Sequence, residues 1–454
     1  MKLLVIDAVG LRPCDLVDAP NLRSLADAGE LGALATVFPA VTCTVQATWL
    51  TGRLPREHGI VANGWYFRDL AEVFLWRQSN ALIQGEKLYE TARARDPRFT
   101  CAKMFWWYNM YAAVDFSVTP RPEYHANGLK RPGLYSEPAP LHAELEAELG
   151  PFPLFHFWGP GADIRSTRWI ADATLRVIER FDPTLVLAYL PHLDYDHQRF
   201  GPEAPASREA VRALDIEAGR LIDAARARGA RVLVLSEYGI ESVTTPIFVN
   251  RFLAERGFLR LQERSHGQLL DAGASVAFAV ADHQVAHVYV RDPRDVVRVR
   301  SALQQLPGVA DIFDRREQAP VGIDHERSGE LVLVSEPGCW FAYHYWLDDA
   351  RRPDFANTVD IHRKPGYDPT ELFLDPSLRF PGLRVVKNLV KKRLGFRYLM
   401  DVVGTDPTIV RGSHGRLPTD PDRGPIFIDS ARGSPGSPRT AVAIRDHILR
   451  ILAD

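Results

Sequence analysis

Three apolar runs, each closed by an acid, constrain the fold more than anything else in the chain. Leu3-Leu-Val-Ile runs into Asp7, Leu185-Val-Leu-Ala-Tyr-Leu190 is followed by Asp194, and Val232-Leu-Val-Leu235 is followed by Glu237. Continuous apolar runs of this length read as strands buried on both faces, the habit of parallel sheets. Ser166 opens a helical pattern with Ile170, Ala171, Thr174, Leu175 and Ile178 on one face, ahead of the second run. Val211, Leu214, Ala218, Leu221, Ile222 and Ala225 mark another helix between the second and third runs, stopped at Gly229. This alternation predicts a parallel sheet with right-handed crossovers. The expected fold class is α/β: a three-layer α/β/α arrangement with a mostly parallel central sheet and a smaller α+β cap or insertion. Ligands of open α/β sheets bind outside the carboxyl ends of the strands, where the three acids stand.

The chain of 454 residues is long enough for a large core and is read as one domain, 1–454. Within it, 65–160 reads as a loop-rich, pocket-forming insertion, and about 245–400 as a smaller α+β subdomain. Asn21 is expected to cap a short helix, Leu31 to Phe38 to form a second strand, and about 438–452 to form a closing helix. The formal charge of −2 exerts no pull toward polyanions. No basic stretch is concentrated enough for a nucleic-acid polymer, and Lys387, Lys391, Lys392 and Arg393 read as a solvated helix face. No apolar run approaches the ~20 residues of a membrane span, so no membrane partner is expected. Cys14, Cys43, Cys101 and Cys339 form no CxxC pair, and with an N-terminus too short in apolar residues for a signal peptide they suggest a cytoplasmic setting.

The stretch Phe38-Pro-Ala-Val-Thr42 leads into a run that can form a helix, ending at Thr51-Gly52; Pro55-Arg-Glu-His58-Gly59-Ile60 and Asn63 follow. Thr42 stands where the helix begins. There it either caps the helix or helps the free backbone N–H groups receive an anion. The aromatic run 101–111, with Arg121 and Lys130 after it, is either core packing with surface charge or a flat cationic surface for an organic phosphate. Three acids at neighbouring strand ends repel one another unless a cation neutralises them, which favours a metal site over three separate loop caps. Carboxylates with imidazoles suit Zn²⁺, and oxygen-richer sets lean toward Mn²⁺ or Mg²⁺.

On these residues the chain resembles the alkaline phosphatase superfamily, in particular its nucleotide pyrophosphatase/phosphodiesterase branch. Asp7 matches the family's first metal-binding Asp. Thr42, ten residues before Gly52, matches its nucleophile, and Pro55 to Ile60 its Pro-x-x-His-Gly-Ile segment. Asn63 falls on the Asn that helps stabilise the transferring phosphoryl oxygen. Asp-x-x-x-His ahead of Gly-Pro becomes Asp194 and Gln198 ahead of Gly201-Pro202; Ser-Asp-His-Gly becomes Ser236-Glu237-Tyr238-Gly239; Gly-Thr-His-Gly becomes Gly412-Ser413-His414-Gly415. Two expected imidazoles are therefore replaced. His192, His197, His283, His362 or Asp368 could stand in, with His362 the leading candidate.

The resemblance implies a metal-dependent phosphohydrolase that cleaves a phosphodiester or pyrophosphate bond of a small organophosphate, nucleotides included, through a phospho-threonine. Asp7, Thr42, Asp194, Gln198, Glu237, His414 and His362 are the expected metal ligands, Thr42 and Asn63 the catalytic residues, and Asn63 and Lys130 the substrate contacts. The expected cofactor is a divalent metal, two Zn²⁺ or else Mn²⁺ or Mg²⁺. Phosphonate hydrolase, phosphomonoesterase and phosphotransferase activities are the alternatives within the superfamily. A degenerate site that binds phosphate compounds without turnover is the alternative outside it.

Overall fold

The computed structural model describes residues 1–126, 130–433 and 439–454. Eight strands form the central sheet: β1 (Leu3–Ala8), β2 (Glu30–Ala33), β3 (Cys101–Met104), β4 (Phe116–Pro120), β5 (Leu134–Glu137), β6 (Leu185–Leu190), β7 (Arg231–Leu235) and, late in the chain, β12 (Ile426–Asp429). The sheet order is β2-β12-β7-β1-β6-β3-β4-β5. The five inner strands from β7 to β4 run parallel. Both edges are antiparallel.

The strand run that opens the chain is buried on both faces, as its composition demands: all six residues of β1 are inaccessible. The pleat sends alternate side chains to opposite layers. Leu3 and Val5 join Leu185, Leu187, Leu233 and Leu235 on one face. Leu4 and Ile6 join Val186, Ala188, Val232 and Val234 on the other. Helices α1 (Pro20–Ala28), α3 (Ile164–Phe181) and α5 (Pro205–Ala227) cover the second face through Leu22, Ile170, Val177, Leu214 and Leu221. Helices α2 (Thr42–Thr51) and α7 (Ile444–Ala453) cover the first through Val45, Trp49, Ile444 and Ile448. Three α/β/α layers result.

A smaller antiparallel sheet lies in the later half: β8 (Ala277–Asp282), β9 (Val285–Val290), β10 (Val309–Asp314) and β11 (Leu331–Ser335), in the order β8-β9-β11-β10. Two further helices matter below: α4 (His192–Phe200) and α6 (Pro381–Arg393).

Several local expectations shift. The segment 65–160 gives β3, β4 and β5 to the central sheet, so it is woven into the core rather than inserted beside it. The second strand is only Glu30–Ala33; beyond it the chain leaves the sheet to form backbone hydrogen bonds with the far C-terminus, Ala35 N to Arg439 O at 2.8 Å among them. Helix α1 starts at Pro20, and Asn21 spends its amide on Asp215 of α5, 2.8 Å away. The residues after β6 form α4, with Asp194 in the first turn, where the helix dipole favours an acid. The closing helix begins at Ile444; position 438 lies outside the described residues.

Candidate active site

The parallel register brings the acids together. Asp7 of β1 lies opposite Tyr189 of β6 and Leu235 of β7, so the chain leaving β7 reaches Glu237 beside it. Both side chains are fully buried. Helix α2 begins above this sheet edge. Its N-cap is Val41, which offers no side-chain cap, so the Thr42 hydroxyl is free for other work. Thr42 Oγ1 lies 3.1 Å from Glu237 Oε2 and 3.1 Å from Tyr238 Oη. Tyr238 in turn donates to Asp194 Oδ1 at 3.4 Å.

One turn further along α2, Gln46 shares the face of Thr42. Its Nε2 donates to Asp7 Oδ2 and to Glu237 Oε1, each at 2.8 Å. Its Oε1 accepts the Trp107 backbone N–H at 2.8 Å, which fixes the amide's orientation. Burial pushes the Asp7 carboxyl up to about 7, against the hydrogen bonds from Glu237 and Gln46. Burial, and then the charge of Asp7, carries Glu237 well above the usual carboxylate range. Burial also raises Asp194.

Asn63 accepts the Cys43 N–H at 3.0 Å through Oδ1, tying down the start of α2. Its own backbone N–H and amide donate to the two oxygens of Asp282, at 2.8 and 3.1 Å. Asp282 ends β8, and the next residue, His283, opens the two-residue turn to β9 with φ +60°, a left-handed conformation that His adopts more readily than most residues. His283 Nδ1 lies 2.7 Å from Asp282 Oδ1, while its Nε2 is buried with no partner among the described residues. His414 Nδ1 donates to the Ala40 carbonyl at 2.9 Å, and its Nε2 lies 3.9 Å from Asp194 Oδ1. Burial, and then His283, keeps His414 neutral well below its usual range.

Four rings from four segments stack into one column. Tyr238 and His414 are 3.5 Å apart, His414 and His283 3.7 Å, and His283 and Tyr367 3.7 Å. Tyr367 also donates to Gln198 Oε1 at 2.8 Å. Asp7, Thr42, Asn63, Asp194, Gln198, Glu237 and His414 therefore belong to one connected buried centre. His362 does not occupy the place the sequence suggested: it lies exposed in a turn, and Tyr367 is the residue of that loop that reaches Gln198. Asp368 is committed to Lys364, whose Nζ lies 2.7 Å from it and 2.7 Å from Glu371, all three buried. Lys130 pairs with Tyr124 in a short hairpin, and its side chain lies outside the described residues. Gln46 and Tyr367 carry no motif of their own. Asp282 and His283 are adjacent in the polar run Asp282-His283-Gln284 between two apolar stretches, a signal legible in the sequence.

A metal can be tested against these donors. Asp7, Glu237 and Asp194 have no Lys or Arg within ion-pair distance among the described residues, and Asp7 Oδ1 is buried without a partner. The candidate donors are mostly oxygen, from the carboxylates of Asp7, Glu237 and Asp194, the Thr42 hydroxyl and the Tyr238 phenol, with the His414 imidazole beside Asp194. That chemistry fits a hard divalent cation better than Zn²⁺. No three His, Cys, Asp or Glu side chains are drawn together into a formed cage among the described residues. The amide of Gln46 instead sits against one oxygen of each acid.

Buried acids at strand ends around a helix-start hydroxyl are the working parts of a phosphoryl-transfer hydrolase. The sequence profile of the type I phosphodiesterase / nucleotide pyrophosphatase family matches residues 3–368, and the chain belongs to that family, whose members are metal-dependent hydrolases of phosphoester and anhydride bonds. An uncharacterized pyrophosphatase/phosphodiesterase of Schizosaccharomyces pombe is 25% identical over 245 residues, 49% of this chain; the match spans 40% of that relative's length. Two solved structures share the fold. Murine ectonucleotide pyrophosphatase/phosphodiesterase 5, in an inactive form in complex with AMP, is 13% identical with a TM-score of 0.60 over 100% of this chain and 95% of its own. Phosphonoacetate hydrolase from Sinorhizobium meliloti, in complex with phosphonoformate, is 14% identical with a TM-score of 0.61 over 99% and 95%.

Proposed function

We propose that this chain hydrolyses a phosphodiester or pyrophosphate bond of a small organic substrate, nucleotides included, with Thr42 as the nucleophile. The observation that carries this reading is the Thr42 hydroxyl, uncapped at a buried helix start and 3.1 Å from Glu237 Oε2. Its geometry supports a proton passing from Thr42 Oγ1 to Glu237 Oε2, to which the hydroxyl already donates. The Thr42 oxygen then attacks phosphorus and the leaving alkoxide or phosphate departs on the opposite side, leaving a phospho-threonine that water hydrolyses. Asn63 has one amide hydrogen on Asp282; the other remains for a phosphoryl oxygen.

A divalent cation held by Asp7, Glu237 and Thr42, with Asp194 and His414 as further donors, would supply neutralising charge and Lewis acidity. The oxygen-rich set supports Mn²⁺ or Mg²⁺ ahead of Zn²⁺. The four cysteines are free, which suits a reducing, cytoplasmic setting.

The test is hydrolysis of bis-p-nitrophenyl phosphate, p-nitrophenyl phosphate and a phosphonate by the wild type and Thr42→Ala, each with Mg²⁺, Mn²⁺ and Zn²⁺. The expected result is metal-dependent diester cleavage that drops by at least ~10³-fold in Thr42→Ala, more than ~4 kcal/mol of barrier. Diester cleavage that survives in Thr42→Ala overturns the assignment of the nucleophile. A preference for the monoester or phosphonate overturns the diester reading.

A further inference from the structure

Helix α6 lies beyond the stretch matched by the family and carries an apolar stripe that faces away from the protein. On the helix, Asn388 is the buried position and bonds the Leu399 carbonyl at 2.7 Å; Val385 and Lys392, on the same side, are half-buried. Leu383, Val386, Val390 and Leu394 recur at i, i+3, i+7 and i+11, on the opposite side. They are 66%, 55%, 51% and 66% exposed. Phe380 and Phe396, at the two ends, are 59% and 64% exposed. Soluble proteins rarely leave so continuous an apolar strip in water.

The charges that flank the strip choose its partner. Arg379, Arg384, Lys387, Lys391, Arg393 and Arg397 flank it, and no Asp or Glu occurs from 376 to 400. Among the described residues, only Arg384 of these is spent on an acid, Asp401. Lys387 and Lys391 border one side of the apolar stripe and Arg393 the other. A second copy of this face would bring like charges together, and an RNA would leave the leucines and phenylalanines unused. An anionic bilayer surface matches both features, taking the apolar strip into its acyl boundary and the cations at its headgroups. No helix among the described residues is long and apolar enough to cross a membrane, so the contact is with the surface.

We propose that α6 and its flanking phenylalanines dock this chain on an anionic lipid surface. The solvated basic face read from the sequence, exposed at Lys387, Lys391 and Arg393, is the cationic part of this surface.

The experiment is co-sedimentation of the full chain with vesicles of phosphatidylcholine alone or with about a third phosphatidylglycerol, at low and high salt. Val386→Asp with Val390→Asp, and Lys387→Glu with Lys391→Glu, test the two halves of the surface; both pairs are exposed, and melting curves verify folding. The expected result is binding to the anionic vesicles only, reduced about tenfold or more by either pair of substitutions. Absence of binding to anionic vesicles at low salt overturns the proposal. So does binding that the aspartates leave unchanged, or an aspartate pair that turns a dimer into a monomer by light scattering, which would assign the strip to a second copy.

Discussion

Gln46 holds Asp7 as a cation would: its side-chain amide stands 2.8 Å from Asp7 Oδ2 and reaches the same distance to Glu237 on the far side. A neutral donor thereby bridges two buried acids and spares them their full mutual repulsion. Replacing the amide by a third carboxylate reverses the effect. Gln46→Glu is expected to lower the melting temperature of the metal-stripped protein, because a third buried acid has no partner, and to let Mn²⁺ recover more stability than in the wild type. Melting curves with EDTA and across a Mn²⁺ titration measure both; an unchanged metal response rejects the idea.

Glu237→Gln preserves shape but removes the base assigned to Thr42. The expected loss in kcat is about 10²-fold or more with a smaller change in KM. A loss confined to KM would assign Glu237 to binding alone.

Two buried imidazoles set an acid limit on stability. His58 Nδ1 accepts the Ile60 N–H at 3.1 Å, and His287 Nδ1 accepts the Gly329 N–H at 3.2 Å, so both rings must be neutral in the fold. Burial lowers them to about 3 and about 4. The unfolded chain takes up protons below about 6.5 while the folded rings do not. Their stability contribution is therefore present above 6.5 and is lost as pH falls toward 4, at ~1.4 kcal/mol per pH unit for each ring within the window. Asp7, raised in the fold, works in the opposite direction between about 4 and 7. Urea unfolding from pH 7.5 to 4.5 should show a shallower pH slope in His287→Gln than in the wild type.

Lys364 neutralises Asp368 and Glu371 in a fully buried cluster, on the loop that carries Tyr367. Lys364→Met leaves two buried acids unpaired and should cost ~3–5 kcal/mol of unfolding free energy. Because Tyr367 bonds Gln198, hydrolysis should fall as well. Urea denaturation and the diester assay read the two effects separately.

The sheet was legible because β1, β6 and β7 are apolar throughout, and only a strand buried on both faces needs that. The helix start at Thr42 and its tie to Asn63 were legible from spacing, since Thr42, Gly52 and Asn63 are close in sequence. Gln46 was not: an amide reads as an ordinary polar residue until the register of β1 and β7 places two acids over it. His362 was favoured for its Asp-x-His spacing, yet Lys364 draws Asp368 and Glu371 inward and leaves His362 exposed in the preceding turn. Strands β3, β4 and β5 were hidden because each has only four or five residues, between aromatic loops that mask their pattern.

The loop before Thr42 is latched by residues far along the chain. Ala40 receives the His414 ring at its carbonyl and gives its N–H to Gly415, across 374 and 375 positions of chain. Thr42, the proposed nucleophile, and Asp7, Asp194 and Glu237 are therefore all translated before the piece that latches the loop. A chain cut short before Gly412 keeps seven of the eight central strands but lacks the latch, and it is expected to show no diester hydrolysis.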